Sequence, residues 1–209
     1  MTITLNNIGK CYHLDWIFRN ITFEFNTGEP CAIQGPNGSG KSTLLQIISG
    51  MVVPSEGTIS YSNHDKTIPV EDIFRHLSIA TPYLDLIEDF TLAEIINFHF
   101  KFKKILDGIT QAQLIEIIGL NKAKDKQLKH YSSGMKQRVK LALAIFSDTQ
   151  ILLLDEPTSN LDKSGMEWYR TQIEHHISNR LILVCSNNQS QEFDFCKQEI
   201  DIINYRKKQ

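Results

Sequence analysis

The run Cys31-Ala32-Ile33-Gln34-Gly35-Pro36-Asn37-Gly38-Ser39-Gly40-Lys41-Ser42-Thr43-Leu44-Leu45 decides the fold. Its first three residues read as a buried strand. The apolar set Leu44, Leu45, Ile47 and Ile48 then continues at helical spacing up to Gly50, so a glycine loop joins a strand to a helix. Gly35 to Ser42 matches the pattern GxxxxGK[ST] in full, in the strand-loop-helix context that gives the pattern meaning. Glycines let backbone N–H groups converge on phosphate oxygens, and the helix N-terminus adds its positive dipole end. Lys41 is expected to reach the β- and γ-phosphates and Ser42 to offer its hydroxyl to Mg²⁺, while Pro36, Asn37, Gly38, Ser39, Gly40 and Thr43 complete the cradle.

Working outward, Ile21, Phe23 and Phe25 alternate with Thr22 and Glu24, the period of a half-buried strand. Ile151-Leu152-Leu153-Leu154 and Leu181-Ile182-Leu183-Val184 are continuous apolar runs, as in strands buried on both faces of a parallel sheet. Asp162 to Ser178 between them reads as a crossover helix, and Ile200 to Ile203 as the last strand. Between about Thr81 and Phe146 strand signals give way to helical ones, with capping boxes at Thr91/Glu94 and Thr110/Gln113. The expected fold is α/β, with a mainly parallel sheet, antiparallel β elements near the N-terminus and a helical insertion. Residues 1–80 and 147–209 would form a nucleotide-binding core and residues 81–146 a helical subdomain.

The run Ile151 to Leu154 ends in Asp155-Glu156-Pro157. A carboxylate at the strand tip is placed to help hold Mg²⁺, which assigns Asp155 to the metal. Glu156, one residue on, is placed to orient or deprotonate a water near the γ-phosphate. Taken alone, the pair would equally serve as an acidic cap after a strand.

Tyr131-Ser132-Ser133-Gly134-Met135-Lys136-Gln137-Arg138, shortly before that strand, resembles the signature motif of ABC ATPases. Thr158-Ser159-Asn160-Leu161-Asp162 looks like the D-loop of the same family, and Tyr12 is similar to the aromatic residue that stacks on adenine there. The resemblance spans nearly the whole chain, with five motifs in the family's order, and includes the phosphate loop and the Asp155-Glu156 strand end. It implies an ATP-hydrolysing P-loop fold in which two subunits pair head to tail around two ATP molecules. Ser132 and Gly134, at the start of a helix read as Met135 to Phe146, would then serve the partner's nucleotide; the plainer reading of Ser132 is a helix N-cap.

Three positions depart from the family. After the strand Leu181 to Cys185 the switch histidine is replaced: Asn187 stands in its place and can donate a hydrogen bond but cannot carry a charge. The Q-loop glutamine is missing from Ala80-Thr81-Pro82-Tyr83-Leu84, with Pro82 or Tyr83 near its position. Ser133 replaces a signature glycine. These losses put efficient hydrolysis in question while leaving nucleotide binding supported by Lys41, Ser42, Asp155 and Glu156.

The 209 residues carry 22 Lys+Arg against 24 Asp+Glu, which gives no electrostatic case for nucleic acid as a partner. No apolar run approaches the roughly 20 residues of a bilayer span, and no secretory signal is read in the first twenty residues. The four cysteines include no CxxC pair and read as reduced structural thiols, and the histidines show no metal-ligand spacing. The resemblance therefore implies a transport motor: a separate cytoplasmic ATP-binding subunit, docked through its helical insertion on an integral membrane permease at the inner face of the membrane. No room is left for a fused permease or a second cassette, and the basic end Arg206-Lys207-Lys208 reads as solvated. The alternatives are an ABC protein acting on ribosomes or DNA, and a cassette that closes on ATP but hydrolyses it poorly.

Overall fold

A computed structural model describes residues 1–206 except Asp65 and Ser178. In chain order come β1 (Thr2–Tyr12), β2 (Asp15–Asn26), β3 (Cys31–Gln34), α1 (Lys41–Ile48), β4 (Glu56–Asn63), β5 (Lys66–Ile68) and β6 (Leu77–Ala80). They are followed by α2 (Leu92–His99), α3 (Gln111–Ile118), α4 (Ser133–Ile145), β7 (Ile151–Asp155), α5 (Lys163–His176), β8 (Leu181–Ser186) and β9 (Gln198–Asp201). The strands form a four-stranded antiparallel sheet in the order β2-β1-β4-β5 and a five-stranded parallel sheet in the order β6-β7-β8-β3-β9. No helix among the described residues is long and apolar enough to cross a membrane.

The alternation read at Ile21 to Phe25 is that of β2, where Ile21 and Phe25 are buried against β1 and Phe23 is half-buried. The apolar runs form β7 and β8, buried along their whole length because the parallel sheet is covered on both faces. Leu152, Leu154, Ile182 and Val184 face one core, with α2 to α5; Ile151, Leu153, Leu181 and Leu183 face the other, with α1 and the antiparallel sheet. Burying each such side chain stabilises the fold by about 2 kcal/mol. Both capping boxes form, each with a side chain and a backbone N–H exchanging hydrogen bonds. Arg180, buried, fastens the lower end of the parallel sheet to α4: it donates to the Ile145 carbonyl at 2.6 Å, to Ser78 at 2.9 Å and to Thr149 at 2.6 Å.

Three boundaries differ from the sequence reading. The last strand is Gln198–Asp201 rather than Ile200 to Ile203, because the Asp201 carboxylate accepts from the Ile203 N–H at 3.0 Å and turns the chain into a 3₁₀ turn, Ile202–Tyr205. The helix expected from Met135 to Phe146 starts at Ser133, since Ser132 caps it, and ends at Ile145. The crossover helix ends at His176; Ser178, and the tail residues Lys207 and Lys208, lie outside the described residues.

Candidate active site

In the parallel sheet β3 and β7 flank β8. The loop after β3 and the turn after β7 therefore meet at the carboxyl ends of the strands, where such sheets bind ligands. A cavity of about 350 Å³ opens there, lined by residues 37–43 together with Ile17, Tyr83 and Glu156.

The first turn of α1 forms one wall. Its N-cap residue, Gly40, is in the left-handed region at φ 105°, and a Cβ there would come within 2.5 Å of Ile17. Only glycine fits, and glycine has no side chain to cap a helix. Every other α-helix among the described residues is capped by a side chain: α2 by Thr91, α3 by Thr110, α4 by Ser132 and α5 by Asp162. The first-turn N–H groups of α1 thus have no capping oxygen, and they border the cavity.

Lys41 is 4% exposed and curls back on its own loop, its Nζ donating to the carbonyls of Gly35 at 2.7 Å and Pro36 at 3.2 Å. Asp155, at the end of β7, is 2% exposed, and its Oδ1 has no hydrogen-bond partner among the described residues. Burial pushes its carboxyl above the usual carboxylate range, opposed by the adjacent Ser42 hydroxyl. A buried carboxylate oxygen without a donor, beside a hydroxyl, is a donor set that suits a hard divalent cation. Glu156 follows at φ 45°, a region that non-glycine residues seldom adopt. With its N–H held by the Cys185 carbonyl at 2.9 Å, the backbone turns this side chain into the cavity.

The signature segment lies elsewhere. The Ser132 hydroxyl accepts from the Met135 N–H at 3.2 Å, so the N-cap reading holds; Ser132 and Ser133 are both exposed. A second cavity of about 260 Å³ runs along Ser132 to Met135 and the D-loop residues Asn160 to Asp162. A Cβ at Gly134 would lie 2.6 Å from the Asn160 carbonyl, so this glycine lets the D-loop press against the helix start. Deeper along α4, Gln137 donates to the Pro157 carbonyl at 3.0 Å and ties the helix to the turn that carries Glu156.

Two expected residues stand apart from the phosphate cavity. Tyr12, at the end of β1, is not in its lining; its ring lies 4.9 Å from the Lys10 ammonium. Asn187 is exposed just beyond β8 and does not line the cavity either. Three other residues come forward. Ile17 and Tyr83 line the cavity; Tyr83, which the sequence put near the place of the missing Q-loop glutamine without assigning it to the site, follows the carboxyl end of β6. The third is Glu192, 1% exposed, whose carboxylate accepts from the Thr158 N–H at 3.0 Å and its hydroxyl at 2.7 Å and so pins the D-loop. Nothing in its sequence context marks it.

A glycine-loop helix with a free N-terminus, a buried lysine and a strand-end carboxylate pair define a P-loop nucleotide-binding protein. The family model described as ABC transporter matches residues 18–159. The ATP-binding protein YybJ of Bacillus subtilis is 30% identical over 204 residues, covering 93% of this chain and 89% of YybJ. YxlF of the same organism is 32% identical over 170 residues, and the match spans 78% of this chain but only 55% of YxlF. Among solved structures, the dimeric bacterial ABC transporter cassette MJ0796 superposes with a TM-score of 0.78 at 22% identity, over 95% of this chain and 93% of that one. The chain belongs to the ABC transporter family of ATP-binding cassettes.

Proposed function

We propose that this protein is the ATP-binding subunit of a transporter, hydrolysing ATP between two cassettes to drive a separate membrane permease. One observation carries the reading: the uncapped start of α1, the unpartnered Asp155 Oδ1 and the Glu156 side chain gather at one edge of the sheet. The loop from Gly35 to Gly40 and Thr43 hold the triphosphate through backbone N–H groups, and Lys41 leaves the Gly35 and Pro36 carbonyls to face the phosphates. Ser42 and Asp155 would hold Mg²⁺, which would supply charge neutralisation at the phosphates. Glu156 orients and deprotonates the water that attacks the γ-phosphorus in line. Residues 1–80 and 147–209 act as the nucleotide-binding core, and residues 81–146 as the subdomain that presents the signature segment.

Ser132 and Gly134 are exposed or half-exposed at the start of α4 and line a cavity separate from their own phosphate loop, which suits action on a partner's nucleotide. YybJ and YxlF are named transporter ATP-binding proteins, and MJ0796 is described as a dimer. The decisive experiment is the solution mass of Glu156→Gln with and without ATP and Mg²⁺. A shift from monomer to dimer is expected; a monomer that still binds ATP overturns self-association.

For the permease, an exposed aromatic row supports docking. Phe98 stacks edge-on between Phe90 and Phe102, at centroid distances of 5.6 and 5.3 Å, and Phe102 is 74% exposed. Such a patch suits an apolar helix of an integral membrane subunit, which supports a position at the cytoplasmic face of the membrane. Cross-linking from Phe102→Cys in membranes should capture an integral membrane protein; capture of soluble proteins alone would refute this placement.

A further inference from the structure

Asn37-Gly38, at the tip of the phosphate loop, is the one Asn-Gly step in the chain. Both residues are exposed, and both line the cavity at the start of α1. They form the middle of a turn from Pro36 to Ser39, closed by the Ser39 N–H donating to the Pro36 carbonyl at 3.1 Å. Gly38 takes the third place of that turn at φ 74°. Where a Cβ at Gly40 would collide with Ile17, one at Gly38 would meet nothing within 4 Å. The tip is therefore the unpacked part of an otherwise closely fitted loop. Among the described residues, neither the Asn37 amide nor the Gly38 N–H has a hydrogen-bond partner. Positive charge stands close by: the Lys41 ammonium donates to the Pro36 carbonyl at 3.2 Å, and the N-terminus of α1 follows the turn.

We propose that Asn37 is a deamidation site gated by nucleotide: it converts in the nucleotide-free cassette and is protected when ATP is bound. This inference rests on the proposed reading of the cavity as an ATP site. In the reaction the Gly38 backbone nitrogen gives up its proton and attacks the carbonyl carbon of the Asn37 side chain. A new C–N bond forms, the bond to the amide nitrogen breaks, and ammonia leaves with the proton, closing a cyclic imide. Water then opens the ring at either carbonyl, leaving aspartate or isoaspartate at position 37. No oxidant or cofactor takes part. Glycine at 38 suits the step because no Cβ hinders its nitrogen, and the open space around it leaves room for the ring. Lys41 and the end of α1 favour the anionic nitrogen. Phosphates held at the loop engage the free donors of the tip, the Gly38 N–H and the Asn37 amide, and fix the turn, so the two groups cannot approach each other. The product sets a carboxylate in the lining of the phosphate cavity, and isoaspartate also lengthens the backbone of the cradle by one carbon. A cassette left without nucleotide thus loses its affinity for ATP with time.

The test ages the full chain carrying Glu156→Gln, to suppress turnover, in mildly alkaline buffer with Mg²⁺ alone or with Mg²⁺ and ATP. Peptide mass spectrometry follows each asparagine, since the hydrolysed product is one mass unit heavier, and calorimetry on the fresh protein reads ATP binding. Without nucleotide, Asn37 should convert ahead of every other asparagine; saturating ATP should slow it about ten-fold or more by keeping most molecules in the bound state. No conversion at Asn37 in the nucleotide-free protein overturns the proposal, as does conversion that bound ATP fails to slow. Equal slowing at every converting asparagine would mean a general stiffening and also overturns it. All three results leave the ATP site standing. Failure of the fresh protein to bind ATP overturns that site and the inference with it. The consequence is read from Asn37→Asp, whose carboxylate beside the phosphates should weaken ATP about ten-fold or more. Affinity equal to the parent's would overturn the claimed loss of binding, and an unchanged melting temperature separates a true loss from misfolding.

Discussion

Two glycine-containing helix starts of this molecule, at α1 and α4, solve opposite problems. At α1 the N-cap is Gly40, no side chain satisfies the first turn, and Lys41 and Asp155 are buried around it. At α4 the N-cap is Ser132, whose hydroxyl already accepts from the Met135 N–H, and Ser132 and Ser133 are exposed. The first start is incomplete without a ligand and the second is complete without one. An anion can therefore be held at α1 by this chain alone, whereas α4 has to meet a ligand brought against its surface. The difference is what the proposed division of the site between two subunits requires.

Lys41→Ala should give the largest effect. It removes the one buried cation at the loop, and ATP affinity measured by calorimetry is expected to fall at least about a hundred-fold, in line with the loss of a charge-assisted phosphate contact in a desolvated site. Retained affinity would break the assignment of α1 as the binding end. Gly134→Ala acts at the other end. Its Cβ would meet the Asn160 carbonyl at 2.6 Å, so the D-loop must shift. Turnover and ATP-driven dimerisation should drop by about ten-fold or more, while ATP affinity of the monomer stays within about two-fold. If monomer affinity fell equally, the two helix starts would not be independent and the comparison would fail.

The α1 end was legible in the sequence because its chemistry is local: Gly35 to Ser42 are consecutive, and their spacing alone dictates the turn. Asp155 and Glu156 were legible for the same reason, as the last residues of an apolar run. The capping boxes at Thr91 and Thr110 were likewise written within four residues. Contacts across the sequence were not legible. Ile17 joins the cavity because the antiparallel sheet folds over Gly40, and Glu192 pins the D-loop because its segment folds back on Thr158. Ser132 shows a further limit: the same hydroxyl makes a good cap and a good ligand, and one chain displays only the first. The shifted end of β9 came from a single Asp201 side chain that the apolar pattern of Ile200, Ile202 and Ile203 concealed.

A smaller effect should appear at Asp155. Its carboxyl is raised by burial, so the charged form is disfavoured in the folded chain, and in the absence of cation that penalty is present at neutral pH. The sign follows: stability falls as pH rises from the ordinary carboxylate value through the raised one. Asp155→Asn should remove this pH dependence and raise the stability of the cation-free protein by about 1 kcal/mol, read as a melting temperature higher by a few degrees. Added Mg²⁺ and ATP should stabilise the parent and not the variant. A variant that melts lower than the parent at pH 7 would show that Asp155 contributes to folding rather than to a ligand.

The smallest effect concerns Asn187, which lines neither cavity. It leaves β8 just before Asn188, whose φ of 57° turns the chain sharply. An amide at this point can donate to a phosphate oxygen but gains no charge as negative charge builds up on the transferring group. An imidazole titrates near pH 6.5, so Asn187→His should raise turnover by about two- to five-fold with little change in KM. The pH profile then separates two causes. A gain that grows as pH falls toward about 6 means that the positive charge matters, whereas a gain that is flat with pH means that only reach and hydrogen bonding do. No gain at any pH would place the limiting step away from this loop, for instance in the proposed closure of a second subunit on Ser132 and Gly134.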